Sequence, residues 1–99
     1  MTPNYWSKKV DANQADIVDC LRAAGFTVVP IHRIGQGVPD LLVGYQGVNV
    51  LLEVKDGDKL LTDDELKWHA NWCGQVDIVR SSEGAMRAVL LATWRVKNT

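Results

Sequence analysis

The sequence predicts an α/β fold in the order α-β-β-β-α-β-α, with a central mixed sheet flanked by helices. Three observations carry that prediction. Capped stretches with apolar residues at helical spacing recur near the start, middle and end of the chain. Short β-branched runs lie between them, and Gln46-Gly47 joins two of these runs as a hairpin would. At 99 residues the chain reads as one domain spanning 1–99, because a single hydrophobic core serves chains of this size. With 46% hydrophobic and 23% charged residues, wholesale disorder is excluded. A formal net charge of −1 argues against a generally phosphate-coating protein and leaves room only for a local basic patch.

The first helix starts at an Asp11 N-cap, with Gln14 three residues on completing a capping-box pattern. Ile17, Val18 and Leu21 give its apolar stripe, and Gly25 ends it. Phe26 to His32 follows as a strand, which Pro30 assigns to an edge or a bulge. Arg33 to Val38 is a glycine-containing turn. Asp40 to Tyr45 and Val48 to Lys55 then form the hairpin, and Asp56 to Leu61 is a polar loop. Thr62 and Glu65 form a second capping-box pattern, opening a helix that runs to about Cys73 and stops at Gly74. Gln75 to Arg80 is a strand with Val76 and Ile78 on one face, and Ser81 or Ser82 caps a last helix through about Thr93.

Cys20 and Cys73 form neither a disulfide framework nor a metal knuckle, and read as two small buried hydrophobes in a reducing compartment. The N-terminus lacks the apolar core of a signal peptide. The longest apolar run, Ala88 to Trp94, is far too short for a bilayer span, so a cytoplasmic protein with no membrane partner is expected.

The chemistry concentrates between Gly37 and Lys55. Residues i and i+2 of a strand share a face, so Glu53 and Lys55 point the same way, with Asn49 and Leu51. Val50, Leu52 and Val54 take the other, more apolar face. The Gln46-Gly47 turn carries Asp40 to the far end of the hairpin, level with Glu53 and Lys55. Two carboxylates in close contact repel unless a cation intervenes. Mg²⁺ suits such a pair, since it takes one or two carboxylates plus waters and phosphate oxygens. Lys55 adds a charge able to stabilise a pentavalent phosphate, and the set suits phosphodiester hydrolysis. Each half also has an ordinary explanation, Pro39-Asp40 as a turn starter and Glu53-Val54-Lys55 as an exposed strand face. Their order across one hairpin is what makes the signal.

The segments Gly37-Val-Pro-Asp-Leu-Leu-Val-Gly44 and Leu51-Leu-Glu-Val-Lys-Asp-Gly57, followed by Leu61-Thr62 and Glu65, resemble the PD-(D/E)XK nuclease superfamily. More narrowly they resemble its virus-type replication–repair nuclease (VRR-NUC) domain, found as small standalone proteins in phages and bacteria. The likeness covers about Asp11 to Val89 and implies a restriction-endonuclease-like core. It also implies a Mg²⁺- or Mn²⁺-dependent DNA endonuclease of a bacterial or phage-infected cell. By the same resemblance Asp40 and Glu53 would be metal ligands, the Val54 carbonyl a third, and Lys55 the catalytic lysine. Small members resemble Holliday-junction resolvases, acting as homodimers on branched DNA.

Two positions depart from the family pattern. Gln14 stands where many relatives have a glutamate, and Glu65 where many have a glutamine. Three readings stand: both residues are simple capping residues, or they have exchanged roles in the site, Glu65 supplying the acid and Gln14 the amide, or Gln14 is a change that silences the enzyme. Trp68 and Trp72, at i and i+4, read as packing the second helix on the sheet, with stacking on DNA bases as the alternative. His69 between them reads as a core or surface histidine. Phosphate contact falls to Lys8, Lys9, Arg33, Lys59 and Lys67. These are few for one protomer to hold duplex DNA, which favours a homodimer. Two further readings stand beside the endonuclease: a catalytically weak DNA-binding module that keeps the fold, and a scaffold domain unrelated to nucleic acid.

Overall fold

The computed structural model describes residues 12–99. Among them the order is α1 (Gln14–Ala23), β1 (Thr27–Pro30), a 3-10 turn (His32–Ile34), β2 (Leu41–Tyr45), β3 (Val48–Val54), α2 (Asp63–Asn71), β4 (Asp77–Val79) and α3 (Ser82–Lys97). The strands form one mixed sheet in the order β1-β2-β3-β4, antiparallel across the first two pairs and parallel between β3 and β4.

The hairpin register follows from its turn. Tyr45 pairs with Val48, leaving Gln46 and Gly47 as the two central residues, with φ of 51° and 80°. Positive φ at both positions is the turn whose twist matches that of antiparallel strands. Leu41 therefore faces Leu52. Val43, Val50, Leu52 and Val54 are buried on one face together with Leu41, as the alternation predicts, under α1 and α3. Ile17 and Leu21 of α1 and Ala85 and Val89 of α3 complete that core.

The helix ends are built from local hydrogen bonds. At the end of α1, the Gly25 N–H donates to Arg22 O and the Phe26 N–H to Leu21 O, the pattern that closes a helix on a glycine. Thr62 and Glu65 form a complete capping box, and the Ser81 hydroxyl accepts from the Gly84 N–H. Pro30 lies on the edge strand β1, where its missing N–H costs no ladder bond.

Several boundaries differ from the sequence expectation. The residue capping α1 is Asn13, which makes Gln14 the first helical residue and removes it from the capping-box position; Asp11 lies outside the described residues. Asp56 replaces the expected cap, its carboxylate accepting from the Ala12 and Asn13 N–H groups at 2.7 and 3.1 Å. The first strand stops at Pro30, because His32 turns into the 3-10 segment. In β4 it is Val79 that enters the core while Ile78 is exposed, since pairing with β3 sets Val79 opposite Val54. The chain before β4 is not laddered; the Gln75 side chain takes that place, bonding both the N–H and the carbonyl of Leu51. The last helix runs to Lys97. Cys73 is exposed and Cys20 half-buried, so neither is a core hydrophobe. Among the described residues no helix is long and apolar enough to cross a membrane.

Candidate active site

The face of β3 opposite the core carries Glu53 and then Lys55, and both are buried, at 1% and 7% exposure. Burial of two ionisable side chains on one strand needs partners, and these come from the hairpin neighbour and from α2. Asp40 precedes β2 and faces Glu53 by extension of the register. Its carbonyl accepts from the Ile31 N–H at 2.8 Å, and its Oδ2 from the Val54 N–H at 2.8 Å. In an extended strand the N–H and carbonyl of one residue turn to the same side, so the Val54 carbonyl also turns toward Asp40.

The Asp40 carboxyl lies beside that of Glu53, within reach of a hydrogen bond whenever Glu53 is protonated. Burial first, then this bond and the charges of Asp40 and Glu65, push Glu53 up to about 10, against the opposing pull of Lys55. Its surroundings therefore favour the neutral form of Glu53. Lys55 Nζ lies 2.7 Å from Glu65 Oε1, the oxygen that also accepts the Thr62 N–H. Burial would raise Glu65, but its bonds to Lys55 and to the Thr62 backbone, with the Lys55 charge, hold it below the usual carboxylate range. One carboxylate therefore both closes the capping box and pairs with Lys55.

His69, one helical turn after Glu65, places Nε2 3.5 Å from Glu53 Oε1. Burial holds the imidazole below its ordinary value, with Lys55 adding to this and Glu65 opposing it. Neither Glu53 Oε1 nor His69 Nε2 has a hydrogen-bond partner, so two buried polar atoms face each other unsatisfied.

Gln14 is 4% exposed at the start of α1, with Nε2 3.5 Å from His32 Nδ1 and Oε1 unpartnered. Asn13 ties this helix to the strand ends, donating to the carbonyls of Arg80 at 3.0 Å and Lys55 at 3.5 Å. Arg80 in turn donates to the carbonyls of Gly57 and Lys59, closing the loop after β3. Sequence reasoning missed Asn13, His32, Asp56 and Arg80. Asp56 and Asn13 stand 43 positions apart, and no periodicity links them.

The structure brings Asp40, Glu53, Lys55 and Glu65 together, with Val54 between the first two. Arg33, Lys59 and Lys67 are exposed, Lys59 with a polar partner of its own, while Lys8 and Lys9 lie outside the described residues. Of the two tryptophans, Trp68 is half-buried and Trp72 exposed, α2 buries no residue fully, and the two rings stack on each other. No family model matches the chain, and neither a curated protein nor a solved structure matches it.

Among the described residues no group of three or more His, Cys, Asp or Glu side chains is arranged to hold a metal ion. Mg²⁺ does not need three. Two touching carboxyl groups, a backbone carbonyl turned toward them and an orphaned Glu53 Oε1 fit a hard cation that keeps most of its waters.

Proposed function

We propose that the chain is a metal-dependent DNA endonuclease of the VRR-NUC type, with the restriction-endonuclease-like core of the PD-(D/E)XK superfamily. Its substrate is branched DNA, in the manner of a Holliday-junction resolvase, and its working form is a homodimer. The observation that carries this reading is the burial of Glu53 on β3 and of Lys55 just beyond its end, with the Asp40 carboxyl beside Glu53. A structural scaffold has no use for a carboxyl pair whose burial costs free energy.

Asp40, Glu53 and the Val54 carbonyl would hold Mg²⁺ or Mn²⁺. Bound there, the cation supplies Lewis-acid polarisation of a phosphate oxygen and a water of lowered pKa. To take part, Glu53 would give up its proton to solvent. Lys55 offers a buried ammonium to the charge that develops on the phosphate, and Glu65 fixes its direction. The fold supports a dimer through α3, which leaves Leu90, Leu91 and Trp94 46%, 44% and 60% exposed beside Cys20 and Met86. A second copy also doubles a sparse set of cations.

The test is cleavage of labelled four-way junction, flap and linear duplex DNA with Mg²⁺, Mn²⁺ or EDTA. Metal-dependent cutting, reduced about a hundredfold or more in Lys55→Ala, is expected. Absence of cutting by folded, dimeric protein in both metals overturns the nuclease. A second reading, a catalytically weak DNA-binding module, is favoured by one observation: the Lys55 ammonium is already engaged by Glu65. Gln14→Glu separates the two. If Glu65 supplies the acidic function, the variant cleaves no faster than the wild type; a large gain would make Gln14 a disabling residue.

A further inference from the structure

The Trp68 and Trp72 rings stack with centroids 4.6 Å apart and planes inclined by 20°. Trp72 is 45% exposed, yet its ring is held, because Nε1 donates to the Gln75 carbonyl at 3.2 Å. An indole held in a fixed orientation and left half open to water is costly unless something flat covers it. They line a shallow cavity of about 420 Å³ with Gln36, Asp64, Lys67 and Asn71. Its rim therefore offers an ammonium, two carboxamides and a carboxylate. Among the described residues Lys67 forms no ion pair.

We propose that this stack seats an unpaired nucleobase of single-stranded DNA, next to the carboxyl cluster. The π faces match a base, the amides and Asp64 match its polar edge, and Lys67 matches the adjoining phosphate. Distance supports the same occupant. The Trp68 and His69 rings lie edge to face at 5.6 Å, and His69 reaches Glu53 at 3.5 Å. A base on the stack thus belongs to a nucleotide close to the phosphate held at the cluster. An aliphatic protein segment would fill the cavity without using its polar rim. The proposal deepens the nuclease reading and rests on it for its setting: the enzyme would prefer DNA with a frayed or unpaired base beside the cut.

The test is titration of the protein with a short oligothymidylate in EDTA, followed by tryptophan fluorescence. Trp94→Phe serves as the background, to remove a signal from α3. Quenching is expected, with binding weakened about tenfold or more in Trp72→Leu and largely kept in Trp72→Phe. Should Trp72→Leu fail to fold by circular dichroism, Lys67→Glu replaces it, with the same loss expected. Unchanged binding by a folded Trp72→Leu or Lys67→Glu variant overturns the stacking site. So does cleavage of branched DNA without any quenching, an outcome that leaves the nuclease reading standing. Quenching without cleavage under any metal keeps the stacking site and removes the nuclease.

Discussion

Glu53 shows how much a single carboxyl can report. The native protein holds a proton there that the unfolded chain gives up at about 4.5, and keeps it up to about 10. Between those values the folded state binds more protons than the unfolded one, so stability falls as pH rises. The contribution is fully present below pH 4.5 and lost on the way to pH 10. In EDTA the unfolding free energy should drop across that window, with a slope of at most about 1.4 kcal/mol per pH unit, and the melting temperature with it. Glu53→Gln should flatten it; an unchanged slope in the variant would place the effect elsewhere. The pairing of Asp40 with Glu53 was legible in the sequence, because strand alternation and a two-residue turn leave one register. The contacts of Gln14 with His32 and of His69 with Glu53 were not. They join a helix to a loop or a sheet, and the spacing of residues along either partner carries no information about the other. Gln14 was also misread as a capping residue, since a shift of the helix start by two positions changes its role entirely.

At the level of elements, the turn after β1 and the start of α2 are held in unusually close apposition. Gly37 has φ of 81°, and a Cβ there would run into the Asp64 carbonyl at the first turn of α2. Gly37→Ala should therefore cost more than about 1 kcal/mol in urea unfolding, combining backbone strain with a clash against main chain. Gly47→Ala supplies the comparison, as its φ is similar but its Cβ meets open space. Equal losses in the two variants would show that the apposition contributes nothing. All the strands and helices were readable from period and capping, and most errors fell at their ends. Which face of β4 enters the core was not legible. Three laddered residues are too few to show alternation, and the partner strand decides which side faces the core.

For the whole molecule, one face of the sheet is closed by α1 and α3, and the outer surface of α3 remains apolar. Light scattering at micromolar concentration should give twice the mass of the chain. Trp94→Lys should return it to a monomer with its far-ultraviolet circular dichroism intact; a monomeric wild type would remove the dimer from the proposal. The sequence carried the excess of apolar residues on α3 but not which of them the sheet consumes, because that depends on how α1 shares the same face. The opposite face is organised differently. Helix α2 brings Glu65 and His69 to the carboxyl pair and bears both stacked indoles, yet has no fully buried residue of its own. Its attachment is polar and local, whereas the core beneath is apolar and continuous. The molecule thus keeps its cohesion on one side of the sheet and its ionisable groups on the other, so local opening should begin at α2 and leave the hydrophobic layer the last part to exchange its amide protons.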